Sequence, residues 1–270
     1  MYLRKESTCW KSGRYLRNSC PSSPQNQPVK NHPASRPSPF LALLLAFLLA
    51  MPCWACAADK AFKTDPGTVA LWNFGEGSED TSADEASTSI ELRPQKGADQ
   101  EPPRVVDGKF GKALFFPGAA SLIGSKGMPI ETPEQVTLEV WLKLDPEGEN
   151  TNRGVFQYMR YGECGFRMGI NPSGRVDWLT EDGTKEIGVT GNVRLPSDEW
   201  VHVAGTYDGT TMRIFINGEQ DSEKPVAGGN PQGQAPVFVG VVSAGPPPYF
   251  RGTIQAIRIS NVALTKFDLK

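Results

Sequence analysis

The chain has 270 residues, with 28 Lys and Arg against 30 Asp and Glu and a formal net charge of −2. Residues 1 to 58 hold seven basic side chains and a single acid, Glu6, so the rest of the chain carries a net charge of −8. Nucleic acid is a poor partner for that acidic remainder, and with His202 its only histidine and Cys164 its only cysteine, zinc-ligand spacings and an intramolecular disulfide are excluded as well.

Residues 1 to 39 mix Pro, Ser, Asn and basic residues without a hydrophobic period, which is the composition of a leader. Phe40 to Met51 is then an unbroken apolar run, followed by Ala55-Cys56-Ala57-Ala58, an A-x-A cleavage pattern ahead of Asp59. We expect an exported, extracytoplasmic protein with a leader over 1–58, whose apolar core is 40–51, and one domain over 59–270. An uncleaved membrane anchor is the alternative, although Pro52 ends the apolar run well short of the roughly 20 residues a spanning helix needs.

From Asp59 onward the chain reads as short strands broken by turns. Thr68 to Phe74 is the first strand and is expected to pair with the last one. Gly75 to Glu101 is acidic and turn-like, with a short strand at Ser89 to Leu92. Lys112 to Phe116 and Ser121 to Ile123 flank a Pro117-Gly118 turn. In Val136 to Leu144 the apolar set Val136, Leu138, Val140, Leu142 and Leu144 takes one face, and Thr137, Glu139, Trp141 and Lys143 the other. That alternation predicts a central strand with one packed and one partly polar face. Gly154 to Met159, Gly165 to Ile170, Arg175 to Thr180 and Glu186 to Val189 follow at short spacing. Trp200 to Tyr207 and Met212 to Ile216 form a hairpin about Asp208-Gly209, and Asn217-Gly218 turns the chain again. Val237 to Val242 and Arg251 to Ile259 are the last strands, separated by a loop with three consecutive prolines. The expected fold class is all-β, a two-sheet antiparallel sandwich with almost no helix.

Five segments carry a family resemblance: A-L-W-N-F-G-E-G (Ala70 to Gly77), G-K-F-G-K-A-L-F-F (Gly108 to Phe116), V-T-L-E-V-W-L-K (Val136 to Lys143), W-V-H-V-A-G-T-Y-D-G with M-R-I-F-I-N-G-E (Trp200 to Glu219), and F-R-G-T-I-Q-A-I-R-I-S (Phe250 to Ser260). In this order they resemble the laminin-G-like jelly-roll domains of the concanavalin A-like lectin/glucanase superfamily. The resemblance implies a jelly roll with a binding role and names no ligand, because one fold hosts many functions. Such domains often carry a disulfide, which this sequence lacks. Relatives also commonly hold a structural calcium, and the matching positions here are Gly75 and Gln255, where an Asp is usual in each. Gln255 offers a neutral oxygen, so Glu76, Asp80 and Asp84 would have to supply the charge; calcium binding is expected to be weak or absent, and no other cofactor is implied.

Catalytic patterns are missing. Glucanase chemistry of the superfamily needs two carboxylates about 5 Å apart, as in E-x-D-x-x-E, and no such run occurs. No G-x-S-x-G is present, and His202 reads as structural. Glu139 and Trp141 share a strand face, either the groove in which relatives bind sugars or a structural pair; the structural reading is preferred. The expected function is a non-catalytic binding module for a glycan or an extracytoplasmic protein, with a diverged glycan-active enzyme and a purely structural adhesion domain as alternatives. Sugar sites set aromatic rings beside planar polar groups, which selects Tyr158, Arg167, Trp178 and Tyr249 as ligand-binding candidates, with Tyr161 in a nearby turn.

Overall fold

The computed structural model describes residues 60–269, except 75–84, 87–89, 95–100, 119–121, 125–129, 131, 133, 149–150, 160–163, 182–183, 227, 230, 234 and 243–248. Among the described residues the chain forms β1 (Thr68–Asn73), β2 (Leu92–Pro94), β3 (Arg104–Gly108), β4 (Gly111–Pro117), β5 (Leu122–Gly124), β6 (Val136–Leu144), β7 (Arg153–Tyr158) and β8 (Phe166–Ile170). There follow β9 (Arg175–Glu181), β10 (Glu186–Arg194), β11 (Trp200–Tyr207), β12 (Thr211–Ile216), β13 (Glu219–Pro225), β14 (Phe238–Val239) and β15 (Arg251–Ser260). One 3-10 turn, Pro146–Gly148, is the only helical element among them.

The strands make two antiparallel sheets, a sandwich of jelly-roll type. The larger has the order β13-β12-β11-β6-β15-β4-β3, and β1 lies beside the C-terminal half of β15. β15 is long enough to share one edge between two partners, β4 along Arg251 to Ile254 and β1 along Ala256 to Ser260. The expected pairing of first and last strands is therefore present. The smaller sheet has the order β10-β9-β8-β7-β14-β5-β2. Period-2 alternation sends one side of each strand into a common core: Val136, Leu138, Val140 and Leu142 of β6 and Val201, Val203 and Tyr207 of β11 meet Phe156, Phe166, Met168 and Trp178 of the smaller sheet.

β6 differs from expectation, because its second face is packed too. Thr137, Glu139 and Trp141 are buried along with the apolar set. They are covered by a second cluster outside the sandwich, in which Ala61 and Phe62 from the N-terminal strap, Leu71 of β1, Trp141 and Ala256 meet Phe110 and Leu269.

Two strands, β13 and β3, were not expected from the sequence. β13 reads E-Q-D-S-E-K-P and is almost wholly solvent-facing, yet the turn before it dictates its pairing with β12. Asn217 and Gly218 take φ of 50° and 82°, the left-handed geometry of a tight hairpin turn. β3 pairs with β4 across a turn at Lys109-Phe110. Where the sheet edges β10 and β13 approach, Asp221 accepts hydrogen bonds from the amides of Asn192 (2.7 Å) and Val193 (2.9 Å). That carboxylate occupies edge donors which would otherwise template another strand.

Candidate functional site

A sandwich has two outer faces, and here they are not equivalent. The outer face of the larger sheet is covered at its centre, over β6, β11 and β15. Glu139 sits under it with Oε1 3.2 Å from His202 Nε2 and Oε2 2.6 Å from Arg258 Nη2. Arg258 in turn donates to Lys63 O and reaches Asp65, while its guanidinium lies over the Phe62 ring. Phe62 and Phe267 flank the His202 ring, with ring centroids 5.9 and 5.2 Å away. Lys109 closes the far side, its ammonium 3.8 Å from the centre of a Trp141 ring, and lost hydration holds its pKa below the ordinary lysine value. Glu139, Trp141 and His202 are thus structural and offer no groove.

The outer face of the smaller sheet is open. On it a cross-strand row runs Thr190 (β10), Asp177 (β9), Gly169 (β8) and Gly154 (β7). Two glycines in succession leave this row without side chains over β8 and β7. At Gly154 a Cβ would lie 2.1 Å from the backbone nitrogen of Val242, so glycine there lets the Val241–Val242 segment rest on β7 as a wall. At Gly169 a Cβ would meet only Arg153 O, at 3.3 Å. The result is a trough with Gly169 in its floor, the Val242 segment on one side and Asp177 on the other, about 10 Å across from two strand spacings. Its volume is about 330 Å³, and Asn152, Arg153, Arg167 and Ile170 complete the lining. That size falls at the lower end of the range for small-ligand clefts.

The polar groups of the trough are held in place. Arg167 donates from Nε to Glu186 Oε1 at 2.9 Å and from Nη2 to Oε2 at 2.8 Å, a two-pronged pair that fixes the guanidinium plane. Asp177 accepts at Oδ1 from Thr190 Oγ1 (2.7 Å) and Asn171 Nδ2 (3.2 Å). Asn171 is itself locked by accepting from the amides of Ser173 and Arg175 in the β8–β9 turn.

Of the residues selected from the sequence, Arg167 lines the trough. Tyr249 is half-buried and bridges backbone to backbone with Val241, next to Val242. Trp178 and Tyr158 need correction. Both lie on the inner side of their strands, since the alternation that sends Asp177 and Gln157 outward sends them into the core. The Trp178 indole donates to Thr206 O at 3.0 Å and its ring rests on Gly205. Tyr158 donates to Gly233 O at 2.6 Å and accepts from Ile130 N, and burial pushes its phenol above the ordinary tyrosine value. Neither ring has a face left for a sugar. Gln255 is also committed elsewhere: it sits at a bulge in β15, accepts from Phe110 N at 3.2 Å and donates to Lys112 O, clamping the β3–β4 turn. Glu76, Asp80, Asp84 and Tyr161 lie outside the described residues, and no cluster of three His, Cys, Asp or Glu suited to a metal occurs among those described. The sequence reading missed Asn152, Gly154, Gly169 and Val242; the glycines at alternate positions of apolar strands were the available signal.

The profile of a laminin-G-like family of the concanavalin A-like lectin/glucanase superfamily matches residues 121–270. The chain belongs to this superfamily. Among curated proteins, pappalysin-1 of Mus musculus is 27% identical over an alignment of 145 residues, which covers 47% of this chain and 8% of that protein. This lectin/glucanase-type domain also resembles several solved binding domains. The binding domain of Paraclostridial Mosquitocidal Protein 1 superposes with a TM-score of 0.57 at 16% identity, covering 73% of this chain and 49% of that one. Domain 4 of the extracellular arabinanase AbnA of Geobacillus stearothermophilus, solved with arabinotriose, gives 0.53 at 19% identity over 73% and 94% of the two chains. The botulinum neurotoxin serotype D ligand-binding domain, solved with N-acetylneuraminic acid, gives 0.55 at 12% identity over 73% and 48%. At such identities the likeness establishes the fold alone.

Proposed function

We propose that this chain is an exported, non-catalytic binding module whose ligand is a glycan, held in the trough on the outer face of the smaller sheet. The observation that carries the reading is the contrast between the two outer faces: one is roofed at its centre by the segments around Phe62 and Phe267, and the other opens over Gly169 between oriented polar groups. Sugar hydroxyls both donate and accept, and the trough matches them with Asp177, the Asn152 amide and the Arg167 guanidinium. Val242 in the wall gives the carbon face of a ring apolar contact, whereas the Ile170 side chain points into the core.

A glycosidase needs a second carboxyl across the bond it breaks. Asp177 is the single carboxylate among the described trough-lining residues, and Glu186 beside them is occupied by Arg167. Binding without turnover fits this inventory. Export rests on the apolar run at 40–51 and the A-x-A pattern at Ala55 to Ala57, with cleavage placed near Ala58 or Asp59.

Retention on insoluble polysaccharides is the test. Wild-type protein should be retained by at least one of cellulose, xylan, arabinan or chitin, and Gly169→Leu, which fills the floor, should abolish it while the melting temperature stays within a few degrees. Retention that survives Gly169→Leu would place the ligand elsewhere. Capture of an envelope protein with no polysaccharide retained would favour a protein ligand.

A further inference from the structure

Asp177 is anchored on one side only. Its Oδ1 takes both the Thr190 and the Asn171 hydrogen bonds, and among the described residues Oδ2 has no hydrogen-bond or ion-pair partner. Those bonds tie the carboxylate to three pieces of structure at once, β9 itself, the neighbouring β10 and the β8–β9 turn, so its orientation is set before any ligand arrives. Directly across the strand pair stands Gly169, so β8 places no side chain beside Asp177. Orienting a carboxylate this thoroughly and leaving one oxygen unused beside a cleft is the arrangement that a hydrogen-bond-donating ligand requires, because the ordering cost is met in the free protein.

The Arg167 charge is already paired. The Arg167 guanidinium is neutralised through two of its nitrogens by Glu186, which leaves Nη1 and the second N–H of Nη2 for a neutral acceptor. Arg153 is buried, with 4% of its surface exposed. Counting Glu186 with the lining residues, the described trough holds two cations and two anions. An entering anion meets no surplus of positive charge and faces the free oxygen of Asp177.

Resting on the reading of the trough as the ligand site, we infer that it takes an uncharged, hydroxyl-rich sugar and rejects carboxylated or sulfated ones, and that Asp177 sets this choice by accepting a ligand hydroxyl at Oδ2. The bond is charge-assisted and so stronger than a neutral one. Asn152 and Nη1 of Arg167 serve the remaining hydroxyls.

Affinity electrophoresis of the intact protein tests the inference, with gels containing neutral arabinan, xylan or mixed-linkage glucan and parallel gels containing polygalacturonate or heparin. At least one neutral polysaccharide should retard the protein, and neither acidic one should. Asp177→Asn should weaken the neutral interaction about tenfold or more, the loss of one charge-assisted bond. Thr190→Val keeps the carboxylate but frees it to rotate, and should weaken binding severalfold, so the inference stays open to test even if Asp177→Asn folds poorly. Retardation by an acidic polysaccharide that Gly169→Leu abolishes would overturn the charge preference and leave the trough as the site. Retardation indifferent to Gly169→Leu would overturn the trough reading itself. Asp177→Asn and Thr190→Val proteins that are folded and bind as wild type, or the absence of any neutral retardation, would also overturn the inference.

Discussion

His202 Nε2 lies 3.2 Å from Glu139 Oε1, with both side chains buried beneath the outer surface of the larger sheet. Glu139 tolerates this position because Arg258 engages its other oxygen and shares the charge. Removing one partner of a buried pair leaves the other charge uncompensated, at a cost of about 3–5 kcal/mol. Arg258→Met should therefore lower stability by that order in urea unfolding. An unchanged midpoint would mean that the pair contributes little.

The N-terminal strap is the second test of the covered face. Phe62 is buried between the Arg258 guanidinium and the His202 ring, and its backbone exchanges two hydrogen bonds with the Asn73 side chain. Phe62→Ala should cost about 3–5 kcal/mol, the usual range for an aromatic removed from a packed site. The measurement is the thermal midpoint, and a loss below 1 °C would show that the strap only decorates the sheet.

Gly205 and Trp178 form a pair across the sandwich. A Cβ on Gly205 would come within 2.5 Å of Trp178 Cδ2, so the ring lies directly on β11. Gly205→Ala should destabilise by about 1–3 kcal/mol through overpacking. Trp178→Ala should cost about 3–5 kcal/mol and lower the melting temperature, which marks the residue as core. Full wild-type stability in Trp178→Ala would argue for an exposed ring.

The hairpin turn predicts a pH dependence. Burial raises the Asp208 pKa, but hydrogen bonds from Arg213, the Thr210 hydroxyl and the amides of Thr210 and Thr211 outweigh it and hold the carboxyl well below the usual carboxylate range. A depressed native pKa gives stability that is fully present above the unfolded value of about 3.9 and is lost as pH falls through the native value. Asp208→Asn should thus be less stable than wild type near neutrality, with the gap narrowing as pH is lowered from about 5 to about 2. A gap independent of pH would assign the effect to turn geometry alone.

How far the sequence foretold this structure depended on what each residue type signals. Val136 to Leu144 and Trp200 to Tyr207 announce central strands because burying a strand face requires alternation, and both lie at the centre of the larger sheet. β13 was opaque because an exposed edge strand needs no apolar pattern and is set by the Asn217-Gly218 turn. At Trp178 and Tyr158 the aromatic residues were visible but the side of the strand was not. Alternation gives two faces without saying which is wet, and that depends on the opposing sheet. The trough was hidden for a related reason: its floor is made by an absent side chain at Gly169, and its wall by a segment more than 70 residues later that crosses Gly154.

The central claim is that ligand enters over Gly169 on the open face. Amide chemical-shift mapping, with arabinotriose, xylotriose or another neutral oligosaccharide chosen by the retention experiments titrated into isotopically labelled protein, tests it most directly. The account predicts that the largest changes cluster on Asn152, Arg167, Gly169, Asp177 and Val242. Changes concentrated instead on Phe62, Trp141, His202 and Phe267 would contradict it, by showing that the covered face opens to ligand.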